Sequence, residues 1–268
     1  MSGFAHHRRA FAGILGREAL RFLRQRGRFL ASLVRPLVWL AVFAAGFRSV
    51  LGLSITPPYE TYVLYETYIT PGLVGMVLLF HGMQTGLSMA YDREMGSMRL
   101  LLTSPLPRWF LLAARLVAGV LVAVPLAYAF LLAARLWDVR PPGLGYLAAL
   151  PAMVLAGLML GALGLLVSSL VRQLENFAAV MNFVIFPLFF ASTALYPLWR
   201  LEEASETLAW VARLNPFSHA VELIRFALYL RFEPVACTAV LGTLVLGMAL
   251  ATLAYDPGRG FWARRAEA

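Results

Sequence analysis

The chain has 268 residues, 60% of them hydrophobic and only 14% charged, with a mean hydropathy of +0.73. Soluble domains are about 45–50% apolar and about 25% charged, so a water-soluble fold is excluded and the class is membrane protein. The net charge of +9 rests on arginine alone; without a lysine the chain cannot build a G-x-x-x-x-G-K-[ST] phosphate loop, and ATP hydrolysis by that route is excluded as well.

Residues 1–28 form a basic arm in which Phe4, Phe11, Ile14, Leu15, Leu20, Phe22 and Leu23 are interleaved with arginines. A 3.6-residue period gathers Phe11, Ile14, Leu15 and Phe22 onto one stripe. The expected element is an amphipathic helix lying along the cytoplasmic interface, arginines toward anionic headgroups. Arginines recur through Arg28 before any long apolar run, so no cleavable signal peptide is expected.

About 20 apolar residues cross a bilayer as a helix, and six stretches qualify: 29–47, 68–89, 109–134, 144–170, 177–195 and 235–254. In the first and third, Arg35 and Arg115 are expected near the cytoplasmic ends, where their heads can snorkel. The second carries His81, Gln84, Thr85 and Ser88; of these His81, Gln84 and Ser88 share a face, which either lines a translocation path or bonds to a neighbouring helix. Asn176 and Asn182 in the fifth pose the same choice. Gly82 and Gly86, with Gly157, Gly161 and Gly164 on the fourth span, permit close helix approach, within the chain or to a partner. Cys237, the only cysteine, falls in an apolar run and is read as a small buried side chain.

Between the second and third spans the chain reads Tyr91-Asp92-Arg93-Glu94-Met95-Gly96-Ser97-Met98-Arg99-Leu100-Leu101-Leu102-Thr103-Ser104-Pro105. Asp92 and Glu94 suit a helix start and Arg99 a helix end, and Pro105 stops it. Met95, Met98, Leu101 and Leu102 make an apolar edge. The segment reads as a short amphipathic helix at the cytoplasmic face, either docking another protein or dipping into the headgroups.

About 35 residues, many apolar, separate the last two spans. Asn215 before Pro216 is a helix-start signal, so two short helices hinged there are expected. His219, Glu222 and Arg225 share a helical face; pairing of Glu222 with Arg225 is favoured over a metal site or proton relay.

An even span count puts both termini on one side. With that side inside, the arm, Arg93, Arg99, Arg108, Arg172, Arg259, Arg264 and Arg265 are cytoplasmic, while acidic residues balance the outer arginines. That is the positive-inside arrangement.

The stretch Arg93, Glu94, Gly96, Leu101, Ser104, Pro105 resembles the cytoplasmic signature of ABC-2 type permeases, R-E-x-G-T-x-E-x-L-x-x-[ST]-P. Ser97 replaces its threonine, and Arg99 reverses the charge of its acidic position. Ala194-Leu195-Tyr196-Pro197-Leu198, then Leu214-Asn215-Pro216-Phe217 with Glu222 and Arg225, resembles the family's outer segment of re-entrant helices. The run from Tyr68 to Gln84 is also similar to permeases associated with quinoprotein (PQQ-dependent) alcohol dehydrogenase systems. The resemblance implies an all-α, six-helix permease of the bacterial inner membrane: cytoplasmic arm 1–28, transmembrane domain 29–256 and cytoplasmic tail 257–268. It implies a second copy as homodimer partner and a separate ABC-class ATPase that binds ATP and Mg, with no cofactor in this chain and no nucleic-acid partner. Arg93, Glu94, Met95, Gly96, Ser97, Met98 and Leu101 would then couple to the ATPase. Tyr196, Pro197, Asn215, Pro216, Glu222 and Arg225 would form an outer gate, and His81, Gln84 and Ser88 would line the path. The rivals are an ion-driven secondary transporter, which calls for buried carboxylates, and a membrane-embedded enzyme, which calls for clustered polar residues inside the spans.

Overall fold

The computed structural model describes residues 3–24, 26–47, 57–60, 63–95, 107–171 and 174–255, and among them every regular element is a helix. In chain order these are α1 (Gly3–Arg24), α2 (Arg26–Phe47), α3 (Tyr65–Glu94), α4 (Arg108–Ala134), α5 (Gly143–Leu170), α6 (Leu174–Phe190), α7 (Leu198–Ala204), α8 (Glu206–Leu214), α9 (Pro216–Leu228) and α10 (Pro234–Ala254). The helices α3, α4, α5 and α10 are long and apolar enough to cross a membrane; the apolar parts of α2 and α6, Ser32–Gly46 and Ala179–Phe190, are shorter.

The organising pair is α3 with α5, which pack along most of their length. Their approach is set by glycine. A Cβ on Gly86 would lie 2.2 Å from the Gly164 carbonyl oxygen, and one on Gly164 would lie 2.3 Å from that of Gly82. Such contacts against backbone leave room for hydrogen only, so the small-residue stripe is used within the chain. Around this pair sit α2 and α4 on one side and α9 and α10 on the other. The core runs through Ile69, Leu73, Met76, Phe130, Met153, Leu160, Phe217 and Ile224, all buried.

Three of the four residues of the stripe expected on α1 can be placed; the side chain of Phe22 lies outside the described residues. Phe11, Ile14 and Leu15 are half-buried while Arg8, Arg9 and Arg17 are exposed. The Phe11 ring lies 6.4 Å from that of Phe110, so the arm's apolar face leans on the start of α4.

Several expectations need correction, two of them in the chain between Leu174 and Leu228. The fifth apolar stretch, read as a span to residue 195, is helical only to Phe190. Asn215 Nδ2 donates to the Leu188 and Ala191 carbonyls at 2.8 and 2.7 Å, and Ser192 Oγ bonds back to the Phe189 carbonyl at 2.6 Å. Side chains thus satisfy the carbonyls that helix termination leaves open, so the chain can turn at 191–196 while buried. The connection between α6 and α10 also holds three short helices where two were expected, because Ser205 caps α8 separately and splits it from α7.

Candidate functional site

A polar and aromatic cluster at the end of the bundle opposite Asp92 is built on α9. Asn215 is its N-cap, its Oδ1 accepting the Phe217 N–H at 2.9 Å, and Pro216 occupies the first turn, where its missing N–H costs nothing. The apolar face of α9 (Phe217, Val221, Ile224, Leu228) is buried against α3 and α5. Gly75 of α3 accepts it closely, with Phe217 and Val221 atoms 3.1 Å from where a Cβ would be.

Arg225 is 1% exposed, and its head has three partners. It pairs with Glu222, donates to the Thr193 carbonyl at 2.9 Å, and lies 4.2 Å above the Tyr68 ring. Sequence reading placed the Glu222–Arg225 pair in an outer connection; the structure confirms the pairing and draws the guanidinium into the protein. Tyr68 and Tyr65 of α3 donate to the Thr193 and Leu195 carbonyls, both at 3.0 Å, and Ser218 Oγ accepts the Thr193 N–H at 3.1 Å. Every backbone group named here belongs to the turn 191–196, which is therefore held by α3 on one side and α9 on the other.

Pro71 explains another part of this cluster. It leaves the Thr67 carbonyl without its helical donor, and the Tyr59 hydroxyl donates there at 3.4 Å. Burial holds the Tyr59 hydroxyl well above the ordinary phenol range and pushes Tyr229 up to about 12, so both stay protonated at neutral pH. Tyr196 and Pro197 line a cleft of about 320 Å³ with Tyr65, Leu195 and Arg200. His219 bonds to the Arg213 carbonyl at 2.9 Å, which spends its ring on the α8–α9 corner.

At the opposite end, α3 terminates in a polar clasp. Asp92 pairs with Arg115 of α4, whose side chain is 6% exposed. Arg93 donates to the Ser168 carbonyl at 3.2 Å and to the Val171 carbonyl, the last acceptors of α5. A cation at a helix C-terminus is favourably placed. Ser168 Oγ in turn meets the Tyr255 hydroxyl at the end of α10. Asp92 and Glu94, read from sequence as the start of a separate helix, instead form the last turn of α3, because that helix runs on past residue 89 to Glu94; Glu94 and Met95 are exposed. Gly96, Ser97, Met98 and Leu101 lie outside the described residues.

His81, Gln84 and Ser88 are all half-buried on a partly open face of α3. Thr85 is different: its hydroxyl bonds back to the His81 carbonyl at 3.1 Å and packs where Gly119 of α4 leaves space. Asn182 is exposed on α6, and the side chain of Asn176 is outside the described set.

Arg35 is not near a helix end. Its guanidinium lies 4.1 Å from the centroid of the Phe80 ring, midway along α3. The reason is the packing of α2, whose Phe43 meets Tyr65 at 6.2 Å and fixes the helix against the first turn of α3. Sequence reading missed the roles of Tyr59, Tyr65, Tyr68, Asp92, Arg115, Thr193 and Tyr255. Only the aromatic cluster ahead of the second span hinted at any of them; carbonyl recipients leave no mark in a sequence.

Long apolar helices, glycine-tight packing and polar groups confined mostly to the two ends define a polytopic helical membrane protein. Residues 9–229 match the ABC-2 type transporter family, and the chain belongs to it. It is 31% identical over 170 residues to the probable multidrug ABC transporter permease YbhR of Escherichia coli K12, covering 62% of this chain and 45% of that protein. It therefore spans less than half the length of that relative. It is 25% identical over 218 residues to the putative transport permease ycf38 of Porphyra purpurea, covering 80% of this chain and 72% of that one. A shorter stretch of 82 residues is 37% identical to nodulation protein J of Rhizobium leguminosarum bv. trifolii, covering 31% of this chain and 30% of that one.

Proposed function

We propose that this chain is the permease subunit of an ATP-driven ABC-2 type exporter in a bacterial inner membrane, with both termini cytoplasmic. Two copies form the path, and a separate ABC-class ATPase binds ATP and Mg. The observation that carries this reading is the clasp at the end of α3. The segment from Arg93 to Leu101, which resembles the family's coupling signature, begins in the last turn of α3, where that helix is tied to α4 through Asp92–Arg115 and to α5 through Arg93. A push on that segment is thereby shared among three helices instead of bending one.

At the outer end, the 191–196 turn and α9 act as the gate. The turn is held by hydrogen bonds from Tyr65, Tyr68, Asn215 and Arg225, each worth about 0.5–1.5 kcal/mol net, more where charged. Such a set can be exchanged as a unit during a transport cycle. The stripe of His81, Gln84 and Ser88 lines the path between copies. The name of the Escherichia coli relative, a probable multidrug permease, favours a drug-like cargo for this chain.

The test is a reconstituted complex of this chain with its ABC-class ATPase partner. Glu94→Ala and Gly96→Leu are expected to leave the permease folded while lowering cargo-stimulated ATP hydrolysis or complex assembly. Unchanged stimulation in a fully assembled complex would refute the assignment.

A further inference from the structure

Arg35 presents a charge where a lipid-facing helix cannot easily carry one. Phe80, which its guanidinium covers, lies twelve residues from Tyr68 toward one end of α3 and twelve from Asp92 toward the other, about 18 Å each way at 1.5 Å per residue. Tyr68 belongs to the outer cluster and Asp92 to the cytoplasmic clasp. The Arg35 head therefore sits near mid-depth, roughly 15 Å from either edge of a hydrocarbon layer about 30 Å thick. Its stem is too short to carry the head to an interface.

The residue is nonetheless exposed, and none of the ion pairs among the described residues engages it. Its neighbours on the same face of α2, Val38 and Val42, are exposed too. Next to it on α3 runs the half-buried stripe of His81, Gln84 and Ser88. An ionised group at mid-depth faces either a bundle interior or water, and the exposed side of Arg35 is the side on which the polar groups of α3 continue.

We infer that Arg35 stands inside a water-filled path bordered by α2 and α3, and that it selects an anionic amphiphile as cargo. The Phe80 ring beneath it holds the guanidinium in place and offers an apolar platform, so charge and greasy body are recognised side by side. In a narrow, low-dielectric path one fixed cation raises the local concentration of anions. This rests on the permease reading given above, but it is tested without measuring ATP hydrolysis.

The experiment uses single-cysteine variants in a Cys237→Ser background, in inverted and right-side-out vesicles from cells producing the whole transporter, with and without ATP. Val38→Cys, one turn from Arg35, is reacted with methanethiosulfonates carrying either a sulfonate or a trimethylammonium group. Val245→Cys, on the exposed face of α10, sets the lipid-facing baseline. The expected result is reaction at position 38 well above that baseline, with the sulfonate reagent favoured by about tenfold, and loss of that preference when Arg35→Gln is added. Arg35→Lys should keep it. No reaction at position 38 in any condition would place this face in lipid and overturn the inference. Equal rates for the two reagents would overturn the anion selection. A transporter that passes this test while Glu94→Ala leaves hydrolysis untouched would separate this inference from the coupling assignment.

Discussion

The substitution Gly86→Ala adds one methyl group at the tightest contact between α3 and α5. That methyl would lie 2.2 Å from the Gly164 carbonyl oxygen and 2.6 Å from its carbon, both backbone atoms that cannot swing aside. Relief to an ordinary contact near 3.2 Å needs the two helices to part by about 1 Å along the stripe, thinning dispersion contacts on both sides. Overpacking of this kind costs typically 1–3 kcal/mol. Against it stands the intrinsic gain of alanine over glycine in a helix, about 0.5–1 kcal/mol. The net expectation is a loss of about 1–2 kcal/mol. The same change at Gly242 on α10, where nothing lies within 4 Å, keeps the gain without the clash and should raise stability by about 0.5 kcal/mol. Reversible unfolding in mixed micelles, read by tryptophan fluorescence, measures both. If Gly86→Ala proves as stable as the parent, or if the two variants shift together, the argument that this stripe is an intrachain contact fails.

Three further expectations follow from the polar ties. Asn215→Ala removes the cap of α9 and the donor to two carbonyls, a loss of about 2–3 kcal/mol; Asn215→Asp keeps the cap but turns an acceptor toward those carbonyls, and should be no better than alanine in the same unfolding assay. Asp92→Ala strands the buried Arg115 guanidinium, at about 3 kcal/mol, and the double variant Asp92→Ala/Arg115→Met should lose clearly less than the sum of the two single changes; additive losses would show that the pair is not coupled. Tyr68→Phe forfeits one hydrogen bond to the Thr193 carbonyl, about 1 kcal/mol, while Tyr68→Leu also removes the ring under Arg225 and should cost about 1 kcal/mol more; equal losses would remove the ring from the account.

Most of the helical framework was legible in the chain because lipid enforces it. A backbone in hydrocarbon must satisfy its own hydrogen bonds, so each long apolar stretch has one regular solution. Composition therefore yields α4, α5 and α10 almost to the residue and the middle of α3, whose ends run past the expected 68–89 to Tyr65 and Glu94, and the period of the arm yields α1. The Asn215-Pro216 start of α9 was equally readable, since capping is local chemistry.

What local pattern could not decide is which groups meet across distance. The end of α6 at Phe190 depends on a side chain 24 to 27 positions later taking up its last carbonyls. The burial of Arg225 depends on Tyr68 and Thr193, which a linear reading places in separate spans. The depth of Arg35 is set by how α2 registers against α3, through Phe43 on Tyr65, and no window of sequence holds both. Hydropathy is a property of each segment by itself, whereas register, burial of charge and carbonyl capture exist only once the segments are packed.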